Sequence, residues 1–230
     1  MHLQPRFNQQ PDPVWLFDLD NTLHNASASI FPTIDGLMTQ SIGQLLSIEP
    51  EQANYLRHLY WQRYGATLIG LIKHHQVCPT QFLHLSHDFD LEPHVSGERH
   101  VKRYLQRLPG RKMVFTNGPA NYAHRVLIEL GIQSVFERVL SIEDMFLQQQ
   151  CRPKPSRALM QQIIHTLQSP ASSVIFVDDT LRNLKAAHAL GIATVHFAHP
   201  GTPFSSQYAG RAPYIDLRVS SIKELSQRWH

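Results

Sequence analysis

Four short segments carry side chains whose types and spacing suit chemistry on an anion. "DLDNTL" sets Asp18 and Asp20 two residues apart, directly behind the apolar run VWLF. "FTNG" places Thr116, Asn117 and Gly118 behind a second such run, and "RPKP" offers Lys154. "VDDTLRN" supplies Asp178, Asp179 and Asn183. Acids are poor strand formers, so their placement at the ends of apolar strands asks for a reason. Gathered on one edge, these acids would repel one another unless a cation sat among them. A hard divalent ion with oxygen ligands fits best, Mg²⁺ first.

Chemistry of this kind needs a scaffold that brings the four segments together. Residues 14–18 (VWLFD) read as a buried strand, apolar as parallel strands tend to be. Similar runs recur at 112–116, 173–177 and 192–197, with a weaker one at 138–141. Helical patterns follow most of them. The helix expected over 119–131 opens with Pro119 in its first turn and stops at Gly131. Residues 156–168 carry apolar residues at helical spacing, and 180–191 end at Gly191. The segment 213–229 reads as a short last strand and a helix, with Ser221 and Glu224 in capping-box spacing.

Strands alternating with helices predict an α/β fold, a parallel Rossmann-like sheet with helices on both faces. Ligands bind such sheets beyond the carboxyl ends of the strands, where the four segments fall. One stretch breaks the rhythm. Between Leu23 and about Leu105 no parallel strand is evident, and 34–47, 50–65 and 66–76 carry apolar residues at helical period instead. The expected organisation is an α/β core of residues 1–23 and 106–230, with a helical cap of 24–105 inserted after the first strand.

The composition agrees with such a globule. A chain of 230 residues holds one large domain, or one domain with an insertion. The net charge of +3 suits an anionic small molecule, while Lys and Arg are scattered rather than striped, which argues against a nucleic-acid polymer as partner. Cys78 and Cys151 form no metal spacing and read as free thiols in a reducing compartment. The N-terminal segment lacks an apolar leader core and no run reaches membrane-span length, so a cytoplasmic protein without membrane contact is expected.

With its motifs in this order, the sequence resembles the haloacid dehalogenase-like hydrolases: DLDNTL (18–23), FTNG (115–118), the lysine of RPKP (154) and VDDTLRN (177–183). The resemblance implies a Mg²⁺-dependent phosphomonoesterase. Asp18 would be the nucleophile that takes the phosphoryl group as an aspartyl-phosphate. Asp20 would protonate the leaving oxygen and then activate water. The backbone carbonyl of Asp20, with the carboxylates of Asp18 and Asp178, would hold the ion. Thr116 and the amides of Asn117 and Gly118 would grip the phosphate, helped by the N-terminus of the following helix. Lys154 would neutralise the nucleophile and phosphate oxygens. Asp179 would sit by the metal or orient Lys154, and Asn183 is a further supporting candidate that could equally be helical surface. An acid at position 20 is what phosphatases and phosphomutases of the family show, and its dehalogenases lack it.

The stretch "LYWQRYGATLIGL" (59–71) raises the question of substrate. Tyr64, Gly65 and Thr67 are expected to face it, with Gly65 permitting a bend, and Trp61 is expected in the cap's own core. "FDLDNTLH" followed by a helical segment with "RYGATLIGL" resembles the pyrimidine 5′-nucleotidase group, which implies hydrolysis of nucleoside 5′-monophosphates such as UMP or CMP. Leu68 and Ile69 depart from that group, where a basic residue stands. A phosphatase of phosphoglycolate or a sugar phosphate, a phosphomutase and a non-enzymatic binder are the alternatives. A second DxD, Asp88 and Asp90 in "SHDFDLEP", follows no apolar strand and reads as a polar loop.

Overall fold

The computed structural model describes residues 12–202 and 212–229; residues 1–11, where a leader would stand, are outside them. The chain divides into two compact units, one of residues 1–28 with 95–230 and one of residues 29–94.

The first unit is built on β1 (Val14–Phe17), a strand buried at every position. After the second unit come α5 (Val101–Arg107), β2 (Arg111–Phe115), α6 (Ala120–Glu129) and β3 (Arg138–Leu140). A small hairpin of β4 (Phe146–Leu147) and β5 (Gln150–Cys151) leads to α7 (Arg157–Leu167), β6 (Val174–Asp178) and α8 (Leu181–His188). The chain ends with β7 (Ala193–Phe197), β8 (Leu217–Val219) and α9 (Ile222–Trp229). Six strands form one parallel sheet in the order β3-β2-β1-β6-β7-β8. This is the α/β, Rossmann-like architecture expected.

The sheet order explains where a ligand can bind. From β1 the chain builds outward through β2 and β3, then returns to the other side of β1 with β6. The carboxyl ends of β1 and β6 therefore flank the point where strand order reverses, the usual ligand crevice of an open parallel sheet. Register sharpens this. Phe17 is level with Val114 of β2 and Val177 of β6, so Asp18 and Asp178 leave the sheet side by side. Thr116 follows one residue beyond β2.

Apolar burial holds these strand ends. One face of the sheet packs Leu16, Met113, Phe115 and Phe176 against Leu159, Met160 and Leu184 of α7 and α8. Trp15 is fully buried, meets Trp229 of α9 edge to face at 5.0 Å, and donates from Nε1 to Pro109 O at 2.8 Å. In α9 the Ser221 hydroxyl accepts from the Glu224 amide at 3.0 Å as expected, whereas the Glu224 carboxylate reaches the Ser220 amide at 2.9 Å, one residue earlier than a regular capping box. Two amides of the same helix, those of Ile222 and Lys223, donate to Glu98 at 2.7 and 3.0 Å. These contacts with α9 place α5 and the turn before it in the first unit.

The second unit comprises α1 (Ile30–Leu46), α2 (Pro50–Tyr64), α3 (Thr67–His75) and α4 (Pro79–His87). Its core gathers Ile30, Ile34, Ile42, Tyr60, Leu71 and Phe82. Gly65 adopts φ 82° and closes α2, the bend that its sequence suggested. Trp61 is half exposed rather than in this core, because Tyr60 beside it turns inward in its place. Thr67 is buried and its hydroxyl donates to Arg57 O at 3.1 Å, so it ties the start of α3 to the middle of α2. Asp88 and Asp90 are exposed in the loop after α4.

Candidate active site

Asp18 is the first residue past β1, and its amide donates to Val177 O at 2.8 Å, continuing the sheet by one bond. Lys154, from the loop before α7, is buried at 2% exposure and its Nζ lies 2.5 Å from Asp18 Oδ1 and 2.9 Å from Asp178 Oδ2. The rings of Phe115 and Phe176 lie 5.3 and 5.4 Å from that ammonium and wall it on the sheet side. Burial alone would weaken the Lys154 proton, but the charges of Asp178 and Asp18 outweigh it and hold the group firmly protonated.

Asn117 does more than contribute an amide. Its side chain clamps the Lys154 backbone, accepting from Lys154 N at 2.9 Å and donating to Lys154 O at 3.2 Å. This bidentate grip fixes where the lysine enters the site. The Gly118 amide donates to Thr116 Oγ1 at 2.9 Å. A Cβ at Gly118 would stand 3.2 Å from the Tyr122 ring and 3.3 Å from Thr116 Oγ1, so only glycine fits without displacing either. At the start of α6 the Ala120 amide is taken by the Glu143 carboxylate at 3.0 Å, so this first-turn donor, expected to help with phosphate, already has an anion.

On the other side of Asp18, Asp178 has 0% exposure and its Oδ1 accepts from the Thr180 amide at 2.7 Å. Asn183 is buried as well, and its Nδ2 lies 3.1 Å from both Asp178 oxygens. It therefore orients that carboxylate rather than lining a helix surface. Asp179 accepts from Thr180 Oγ1 at 3.0 Å, and burial together with the Asp178 charge pushes its carboxyl up to about 7. Burial likewise raises Asp18 well above the ordinary carboxylate range; Lys154 counters it, while Asp178, Asp179 and Asp20 add to it. One ammonium faces three buried acids, and the site is short of positive charge.

Carboxylate oxygens of Asp18, Asp178 and Asp179 all lie within 4.8 Å of one another. Three hard oxygen donors at this spacing, with unbalanced negative charge, fit a small divalent ion. Asp20 faces elsewhere. Its Oδ1 accepts from Tyr122 Oη at 2.5 Å and meets His24 Nε2 at 3.0 Å. Burial, then the nearby Asp20 charge, keeps the Tyr122 phenol well above its usual range and thus a donor. Neither Tyr122 nor His24 is assigned a role from the sequence, although His24 closes the stretch FDLDNTLH. His24 lies four residues after Asp20, the spacing that could have found it; Tyr122 reads as one more apolar position of α6.

The fold and site are thus a parallel sheet with paired strand-end carboxylates and a buried lysine between them, at the crevice where such sheets bind ligands. The chain belongs to the haloacid dehalogenase-like hydrolases, whose family model matches residues 15–197. Phosphate metabolism protein 8 of Saccharomyces cerevisiae is 28% identical over a 207-position alignment that covers 80% of this chain and 62% of that protein's length. Among solved structures, the HAD phosphatase of Thermococcus onnurineus superposes with a TM-score of 0.61 at 18% identity, covering 94% of this chain and 96% of its own. The HAD-hydrolase YfnB of Bacillus subtilis, solved bound to magnesium, gives 0.58 at 13% identity over 95% and 98%. At these identities the two structures speak for the fold alone. No helix among the described residues is long and apolar enough to cross a membrane.

Proposed function

We propose that the protein is a phosphomonoesterase that attacks its substrate with Asp18, and that Asp18, Asp178, Asp179 and the backbone of Asp20 surround a Mg²⁺ site. The carrying observation is Lys154 Nζ bridging Asp18 and Asp178 at the carboxyl end of the central strand. A lysine in this position sets one carboxylate oxygen of Asp18 and offsets the charge of an incoming phosphate. The ion, when bound, supplies further charge neutralisation and favours ionised Asp18. An Asp18 oxygen forms a bond to phosphorus while the ester P–O bond breaks, and Asp20 gives its proton to the leaving oxygen. Water then attacks the aspartyl-phosphate, Asp20 takes its proton back, and the Asp18–P bond breaks to release inorganic phosphate. Thr116 and the Asn117–Gly118 loop receive the phosphate oxygens. Asn117 and Asn183 support the site through Lys154 and Asp178.

The four-helix unit acts in this reading as a cap that selects the substrate, and its residues 29–94 are a tighter span than the 24–105 suggested by periodicity. A pyrimidine nucleoside 5′-monophosphate is the substrate it suits. Support comes from the resemblance in 59–71 and from Tyr64, whose ring has the Arg63 and Lys73 cations 5.5 Å from its centre. Phosphate release with Mg²⁺ from UMP, CMP, AMP, GMP, phosphoglycolate and sugar phosphates tests both levels, with Asp18→Asn as blank. Preference for UMP and CMP is expected. A preference for phosphoglycolate or sugar phosphates removes the nucleotide reading and leaves the catalytic one. Activity equal to the blank on every ester removes both.

A further inference from the structure

Asp20 is the acid of the site with the most exposure, 19% for its side chain against 10% for Asp18 and 0% for Asp178. It sits on a loop, where a carboxyl group is ordinarily free to turn about its χ angles. Here two buried donors from separate elements meet the same oxygen. Tyr122 Oη reaches it from α6, 102 residues away in sequence, and His24 Nε2 from the loop itself.

Neither donor has room to follow if Asp20 turns. Tyr122 has 1% exposure, and its ring lies against Gly118, where even a methyl group would stand at 3.2 Å. The His24 side chain is fully buried, and its backbone is bridged both to Asp20 and to Gly97. His24 Nδ1 is buried and meets no partner among the described residues, so the tautomer with its hydrogen on Nε2, pointing at Asp20, pairs the one donor that the ring has. A tyrosine that required only a hydrogen-bond partner would be satisfied by any carbonyl. Convergence of both donors on one oxygen of the most exposed acid is what sets the direction of that acid.

The geometry points to Tyr122 and His24 as positioning residues that hold Asp20 in line with the leaving oxygen of the ester. The inference rests on the phosphomonoesterase reading and adds to it two residues to which no role is assigned from the sequence. Its consequence is selective. Proton delivery matters in proportion to how poor the leaving group is, and a well-placed general acid is worth roughly 10²–10⁴-fold. A nitrophenolate leaves without needing a proton, whereas a plain phenolate needs one.

The test is kcat/KM for p-nitrophenyl, p-chlorophenyl and phenyl phosphate with Mg²⁺, in the wild type, Tyr122→Phe, His24→Leu and His24→Gln. Tyr122→Phe keeps the ring, and His24→Gln returns an amide donor to the place of Nε2. For Tyr122→Phe and His24→Leu the loss should grow from under about 3-fold on p-nitrophenyl phosphate to about 10-fold or more on phenyl phosphate. His24→Gln should recover most of it. Equal losses across the three esters, or none, would overturn the positioning role, since a merely structural defect lowers all alike. A variant that circular dichroism shows to be unfolded is set aside before the kinetics, and the other position then decides. A wild type inactive on all three esters sinks the phosphomonoesterase reading itself and this inference with it.

Discussion

Lys154→Met removes the one buried cation of the site and keeps an apolar stem between Phe115 and Phe176. Its ammonium lies 2.5 Å from Asp18 and 2.9 Å from Asp178, with 2% exposure, so no water takes its place. Removing one partner of a buried ion pair costs about 3–5 kcal/mol, because the other is left charged and dry. For a chain of this size about 2–4 °C of melting temperature corresponds to each kcal/mol, which predicts a fall of roughly 6–20 °C. Asp18 is already raised by burial, and without Lys154 its folded carboxyl rises further. An acid whose folded value exceeds its unfolded one penalises the folded state above that window and not below it. The deficit should therefore be larger at pH 8 and shrink as the pH falls towards the ordinary carboxylate range. Urea unfolding at both pH values, with chelator present so that no divalent ion replaces the ammonium, measures it. Fluorescence of Trp15 and Trp229, read in a Trp61→Phe background, follows the unit concerned. Lys154→Met/Asp178→Asn should be more stable than Lys154→Met alone. A Lys154→Met variant within about 0.5 kcal/mol of wild type at pH 8 would refute the account, because that is the range of an ordinary surface substitution.

Other outcomes follow from the same geometry. Chelation should abolish phosphate release and added Mg²⁺ restore it; at a hundred times its dissociation constant the ion should also stabilise the fold by about 2.7 kcal/mol, and Asp178→Asn should erase that gain in a melting experiment. Gly70→Ala would drive a methyl to 2.1 Å from the Tyr60 ring, so calorimetry should show the helical unit destabilised by about 1–3 kcal/mol or more, and an unchanged melt would mean that α2 and α3 part easily. Burial pushes the Cys151 thiol up to about 11 while Cys78 is exposed. Maleimide at pH 8 should thus modify Cys78 first, with Cys151 labelling accelerating as the pH rises towards 11, and equal rates at pH 8 would contradict its burial.

Much of the core was legible because parallel strands are buried on both faces and spell themselves as apolar runs. The runs at 112–116, 173–177 and 192–197 match β2, β6 and β7 to within a residue. Motif order likewise singled out Asp18, Lys154 and Asp178, which meet in the structure: the two acids stand at strand ends and inherit their place from the sheet, while the lysine comes from the loop before α7. The limits of the insertion were less legible. Residues 95–105 carry no strand pattern to part them from the insertion, and it is contacts far along the chain, of Glu98 and α5 with α9 and of Gly97 with His24, that assign them to the sheet unit. The hairpin of β4 and β5 is too short to leave a periodic signal.

What the sequence determined by itself is the inventory: which strands can be buried, which acids stand at their ends, and that a lysine and a hydroxyl are available to them. What the tertiary structure decided is how those groups are aimed. Asn117 is spent on the backbone of Lys154, Asn183 on the carboxylate of Asp178, and Thr67 on a carbonyl of its own unit. Tyr122 meets Asp20 across 102 residues of chain. The reason is physical: a strand end fixes a residue's position through backbone register, which local sequence encodes. The partner of a side chain depends on which distant surface folding brings within three ångströms, and no local pattern encodes that.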